Sequence, residues 1–187
     1  ALEDRYPHVV QEEQLGTGHA VLQAKSHLDP DIDTVVVLFA DHPLMKGETI
    51  KRLIEEHQKN DAVVTMATID VGDFNDWRKE FDNFGRIVRN PDGSVARIVE
   101  RKNASEEEQK ITEINPAYFV FDAAWMWEKL KMLKNDNPQG EYYLVDLPKM
   151  AFDEGKSIKT VQIEIVEGLG ANNLEQLEIL ERFHGQR

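Results

Sequence analysis

The stretch Thr34-Val35-Val36-Val37-Leu38-Phe39-Ala40-Asp41-His42-Pro43-Leu44 decides the fold. Its first six residues are a continuous β-branched and apolar run without polar alternation, the pattern of a strand covered on both faces. Asp41 falls just beyond the end of that run, where open α/β sheets bind their ligands. A carboxylate there suits a magnesium ion, which prefers hard oxygen donors, and equally suits a cap on the segment that follows. The preceding Asp29-Pro30-Asp31-Ile32-Asp33 contains two D-x-D triplets. Because they come before the strand and not after it, they read as a solvated turn.

Outward from this strand, helical and strand-like patterns alternate. Apolar Ala20, Val21, Ala24 and Leu28 predict a helix over 16–28, and further helices are predicted over 48–59, 122–134, 141–154 and 173–183. Asp122 could cap the third of these, and Gly155 stops the fourth. Buried-type strands are expected at 62–68, 117–121 and 158–165. Residues 86–89 and 95–99 flank Asn90-Pro91-Asp92-Gly93, a hairpin with the Asp-Gly signal in its loop. Ser105 followed by Glu108 is a capping box at the start of a short acidic helix. No repeat or long linker interrupts the series, so the expectation is one α/β domain over 1–187, with the hairpin as an insertion in its sheet.

Composition removes several function classes. The 187 residues carry 22 Lys+Arg against 35 Asp+Glu, a formal net charge of -13. General nucleic-acid or anionic-membrane binding needs a basic footprint that this balance does not supply. With no cysteine there is no thiolate zinc site and no cysteine nucleophile. The longest apolar run is far shorter than the roughly 20 residues of a membrane-spanning helix. The first ten residues have neither the basic start nor the apolar stretch of a signal peptide. A soluble, cytoplasmic domain is expected. The six histidines show no HExxH spacing and no serine sits in a nucleophile elbow, so zinc hydrolysis and triad chemistry have no support.

The remaining signals are local. Glu12 to Ala20, EEQLGTGHA, puts two glycines where a loop enters a helix: either a tight turn or a backbone cradle for a base or phosphate. It lacks the third glycine of a dinucleotide fingerprint, and no Walker A sequence occurs. NFGRI (83–87), VERK (99–102), EINPA (113–117) and GEYYLVDL (140–147) are each compatible with a bend, a surface ion pair, a strand start and an amphipathic helix, respectively. Glu100 and Asn115 are more pointed, because a carboxylate and an amide suit sugar hydroxyl and N-acetyl groups. One of Asn172 and Asn173 suits the cap of the last helix, leaving the other free. His19 and His42 read as packing or local hydrogen bonding.

In this order, QLGTGHA, ADHPL, FGRI, VERK, EIN, GEYYLVDL and the terminal EG...NN resemble the uridylyltransferase domain of the bacterial N-acetylglucosamine-1-phosphate uridylyltransferases (GlmU). The resemblance runs to about residue 183 and includes the fifteen-residue step from Glu100 to Asn115. It implies a nucleotide-diphospho-sugar transferase fold, a Rossmann-like mixed sheet flanked by helices. It also implies formation of UDP-N-acetylglucosamine, a peptidoglycan precursor, and pyrophosphate from UTP and N-acetylglucosamine 1-phosphate with Mg2+. By motif, Gln11, Gly16 and Thr17 would meet the uracil and ribose, and Phe39 and Ala40 would lie by the nucleotide. Asp41 would be the catalytic metal ligand, completed by Asn172. Gly85, Glu100 and Asn115 would hold the sugar.

Four departures qualify the match. Ala40 stands where the family usually has glycine, EINPA replaces the usual EINTG, and EGLGANN replaces the shorter EGVNN. The glycine-rich LAAGxGTRM-type loop and the lysine that cradle the triphosphate are absent from these 187 residues, and so is the acetyltransferase region of the bifunctional enzymes. The expectation is therefore an N-terminally incomplete domain, lacking its first βα units, that turns over weakly by itself. The rivals are a non-catalytic nucleotide-sugar binding module and a related hexose-1-phosphate nucleotidyltransferase.

Overall fold

In the computed structural model, which describes residues 6–184, the sheet is organised around β2, Val64–Asp70, buried along six of its seven residues. β7 (Ile158–Gln162) pairs with it in parallel on one side. The other side is shared by two antiparallel partners: β6 (Phe119–Asp122) along its first half and β5 (Glu113–Asn115) at its end. β1, Thr34–Val37, lies beyond β6. The hairpin of β3 (Gly85–Arg89) and β4 (Val95–Val99) lies beyond β5. The order is β1-β6-β2-β5-β3-β4, with β7 branching from β2.

Period-two alternation sorts the core to two faces. Val64, Met66, Phe119 and Phe121 point to one face, under α1 (Thr17–Ala24), α4 (Ala123–Leu130) and α5 (Asp146–Asp153). Ala67, Ile69, Tyr118 and Val120 point to the other, under α2 (Gly47–Lys59) and α6 (Leu174–His184). The mixed α/β sheet flanked by helices is thus as expected. Each fully buried Phe or Leu contributes about 1.5–3 kcal/mol.

The capping box forms at α3 (Glu106–Gln109), with Ser105 and Glu108 exchanging both bonds. Asp122 caps α4 by accepting from Trp125 N. Gly155 ends α5 with φ +64°.

Several expectations shift. The hairpin lies in the chain between β2 and β5 and extends the sheet at its edge, Gly85 and Arg86 pairing with Asn115 and Ile114 of β5. The expected strand over 117–121 is the second half of a longer, broken one. Ile69 stands opposite Ile114 but Met66 opposite Phe119, so the register moves by two residues at Pro116-Ala117. Ala117 has φ +61°, a left-handed conformation that glycine adopts without strain and alanine does not. The expected helix over 141–154 begins only at Asp146, because the residues before it are bonded elsewhere. α4 stops at Leu130, short of the 134 expected. β7 stops at Gln162, and the chain turns into a 3-10 helix over Ile165–Gly168.

Candidate functional site

β1 and β6 run antiparallel with Val37 opposite Phe119. The segment leaving β1, 38–41, and the segment entering β6, 113–118, therefore share one end of the sheet. Most of the residues singled out in the sequence come to this end, in three groups.

The first group joins two distant motifs. Gly18 N donates to Tyr142 O at 2.8 Å, Tyr142 N to Leu15 O at 2.8 Å and Leu144 N to Thr17 Oγ1 at 3.0 Å. These bonds fasten the QLGTG loop to GEYYL and hold 142–144 out of the helix. Gly16 has φ +100°, and a β-carbon there would stand 2.7 Å from Tyr142 O. Gln11 closes the loop from inside, its Nε2 donating to Gly16 O at 3.1 Å and meeting His19 Nδ1 at 2.9 Å. The Thr17 hydroxyl is thus already engaged as an acceptor.

Asp41 belongs to the second group, with a half-exposed carboxylate 3.9 Å from His42 Nε2. The His42 ring packs against Phe39 and edge-on to Tyr118. A β-carbon on Gly170 would stand 2.6 Å from that ring and 3.4 Å from Asp41 O, so the EGLGANN loop lies directly against ADHPL. Tyr118 OH donates to Glu167 O at 2.8 Å, leaving its oxygen to accept from His42 Nδ1. Burial pushes the Tyr118 phenol far above its ordinary range, with Asp41 and Glu167 adding to the shift. The Glu167 carboxylate, 1% exposed, accepts from Lys46 N at 2.9 Å and Thr49 Oγ1 at 3.0 Å. It supplies from a distant loop the cap that the start of α2 lacks locally.

The third group is Gly85, Glu100 and Asn115. Gly85 and Asn115 are register partners, and Glu100 Oε1 lies 3.4 Å from where a Gly85 β-carbon would be. Asn115 is buried, and its Oδ1 accepts from Ala117 N at 2.9 Å. Among the described residues its NH2 donates to no protein group, so that end is available to a ligand carbonyl or hydroxyl. Desolvation pushes the Glu100 carboxyl above its ordinary value; Lys102 opposes this and Asp146 adds to it. Asp146 is itself raised by burial, with Lys149 opposing and Asp136 adding. GEYYLVDL therefore brings a second carboxylate toward Glu100, one that sequence reasoning did not single out.

At the last motif, Asn173 Oδ1 accepts from Gln176 N at 2.9 Å and caps α6. Asn172 contributes only its backbone N–H, to Gln176 Oε1 at 2.7 Å, so its side chain is the one not spent on the cap. Among the described residues no three His, Cys, Asp or Glu side chains gather as a metal cluster. One or two protein oxygens are nevertheless what magnesium commonly uses beside substrate phosphates. Asp41 and the Asn172 amide fit that donor type. Two concavities, of about 430 and 480 Å³, lie elsewhere, along α2–β7 and beside Trp127, and contain none of these residues.

A nucleotidyl transferase family model matches residues 5–164, most of the chain and all three groups except the final loop. The chain belongs to the nucleotidyl transferase family. Among curated members, the bifunctional protein GlmU of Bacillus licheniformis is 38% identical over 187 residues, and that of Halalkalibacterium halodurans is 40% identical over 189. Both matches cover 100% of this chain and 40% of the relative, so the nucleotidyl transferase chain spans well under half the length of these relatives. A solved UDP-glucose pyrophosphorylase complexed with UDP-glucose superposes with TM-score 0.68 at 16% identity, covering 95% of this chain and 65% of that one. That likeness establishes the nucleotide-diphospho-sugar transferase fold. No helix among the described residues is long and apolar enough to cross a membrane.

Proposed function

We propose that this nucleotidyl transferase chain is the larger part of a cytoplasmic uridylyltransferase domain. It would form UDP-N-acetylglucosamine and pyrophosphate from UTP and N-acetylglucosamine 1-phosphate. The observation that carries this reading is the convergence of Gly85, Glu100 and Asn115 at the sheet end that also holds Asp41. A carboxylate and an amide with a free NH2, brought together at a position where glycine leaves no side chain, suit a sugar bearing both hydroxyl and N-acetyl groups.

In the reaction a phosphate oxygen of the sugar phosphate forms a bond to the α-phosphorus of UTP, and the bond to the departing pyrophosphate breaks. No covalent enzyme intermediate is required, so the protein's task is alignment of two polyanions. Gln11, Gly16 and Thr17 hold the uracil and ribose, and Phe39 and Ala40 flank the nucleotide. Gly85, Glu100 and Asn115 orient the sugar. Asp41 and Asn172 would hold Mg2+, which when bound would neutralise charge on the phosphate oxygens.

The charge of -13 favours slow turnover by these 187 residues alone and is compatible with a second reading, a nucleotide-sugar binding module. Calorimetry with UDP-N-acetylglucosamine and a pyrophosphate-release assay separate the two. Binding of UDP-N-acetylglucosamine, with turnover appearing once a triphosphate-loop segment is supplied and lost in Asp41→Asn, supports the uridylyltransferase. Binding without turnover under either condition supports the module. Failure to bind the nucleotide sugar overturns both.

A further inference from the structure

Asp82 is absent from every motif quoted above, yet its carboxylate bonds the residues that follow Gly85 and Glu100. Its Oδ1 accepts from Arg86 Nη2 at 2.6 Å and from Arg101 Nε at 3.2 Å. Arg86 directly follows Gly85, and Arg101 directly follows Glu100. One carboxylate oxygen therefore ties the residue after Gly85 to the residue after Glu100.

The two ends of this tie differ in freedom. Arg86 has no exposed surface; its Nη1 donates to Phe84 O at 2.6 Å and its guanidinium lies 4.4 Å from the Phe74 ring centroid. It is clamped within the β3 ladder, opposite both Val99 and Ile114. Arg101 is one-third exposed and opens the short 3-10 helix Arg101–Asn103, outside the ladder. Phe81, just before Asp82, is buried against Trp77 and Phe84 and approaches Gly168 of the EGLGANN loop. Asp82 is thus fixed on the Arg86 side and bonded to a more exposed group on the Arg101 side.

We propose that Asp82 is a positioning residue of the sugar site, setting the separation of Glu100 from Gly85 through Arg101 and Arg86. The inference rests on the reading of Gly85 and Glu100 as sugar-binding groups. Burial raises the Asp82 carboxyl, but hydrogen bonding and charge from Arg101 and then Arg86 outweigh it and hold the group below its ordinary value, charged at neutral pH. Without that charge the two guanidinium groups repel, and Arg86 cannot leave its site. The displacement therefore falls on Arg101 and on Glu100 beside it. Both arginines bond the same oxygen, Oδ1, and it is through them that Asp82 acts on the positions of Gly85 and Glu100.

The test is calorimetric titration of the 187-residue chain and its variants with UDP-N-acetylglucosamine, with UDP as the control that lacks the sugar. Asp82→Asn is expected to weaken UDP-N-acetylglucosamine about tenfold while UDP binding stays within about twofold, a coupling of ordinary size for residues in one ion-pair network. Arg101→Gln is expected to do the same, the double variant to be no weaker than either single, and Asp82→Glu to recover most of the affinity. Arg101 lies at the exposed end, so its variant carries the test if Asp82→Asn does not fold. Unchanged UDP-N-acetylglucosamine binding in folded variants, or equal loss for both ligands, would overturn the positioning role. Failure of the unsubstituted chain to bind UDP-N-acetylglucosamine would overturn the functional reading instead, and this inference with it.

Discussion

The carboxylate of Glu100 lies over Gly85, its Oε1 3.4 Å from the point where a β-carbon on that glycine would stand. The same β-carbon would meet Ile98 Cγ2 at 3.0 Å. Gly85→Ala is therefore expected to cost about 1–2 kcal/mol of stability through overpacking. It should weaken UDP-N-acetylglucosamine far more than UDP. Urea unfolding and calorimetry on the same sample read the two effects; equal loss for both ligands would argue against a sugar-side role for Gly85.

Gly16 presents a harder case. Its φ of +100° and the 2.7 Å and 2.9 Å approaches to Tyr142 O and N place backbone, not a flexible side chain, against any added carbon. Gly16→Ala is expected to cost roughly 2–4 kcal/mol, combining backbone strain with overpacking. It should also release 15–18 from 142–144, seen as accelerated hydrogen exchange at Gly18 and Tyr142.

Ala117 offers the converse. Its left-handed backbone is strained for alanine, and Ala117→Gly is expected to stabilise the protein by about 0.5–1 kcal/mol. For a chain of this length that is a rise in melting temperature of roughly 1–4 °C. A fall would show that the methyl group contributes packing worth more than the strain.

Glu100 is an acid whose folded value lies above its ordinary 4.5, with desolvation the largest cause. Between the two values the folded protein binds more proton than the unfolded chain, so the stability due to Glu100 is full below the ordinary value and is lost as pH rises through the folded one. Glu100→Gln removes this loss. The variant is expected to be more stable than the parent at pH 7 and to lose the advantage near pH 4, while binding UDP-N-acetylglucosamine less well at pH 7. Denaturant titrations at the two pH values check the sign.

Much of the arrangement was legible along the chain. The β-branched run before Asp41, the Asp-Gly hairpin and the caps at Ser105 and Asp122 are local patterns whose energetics involve neighbours within a few residues. The resemblance named Gly85, Glu100 and Asn115 together, and the fold places them beside one another. Asp82 carried no such signal, because an aspartate in a polar turn looks alike whether it faces water or two arginines. The start of α5 was misplaced for a related reason: 140–145 has helical periodicity, and only its bonds to 15–18 withdraw it from the helix.

The sequence by itself determined the α/β class, the end of the sheet at which the candidate site was expected and the residue types available there. These follow from hydrophobic periodicity and turn chemistry, which act over short stretches. Tertiary structure alone decided which asparagine caps α6, how β5 and β6 divide one side of β2, and that Glu167 caps α2 from 118 residues away. It also decided that a single oxygen of Asp82 joins Gly85's strand to Glu100's turn. Those outcomes depend on burial and on hydrogen bonds between distant segments, which take effect only when packing has excluded water from both partners.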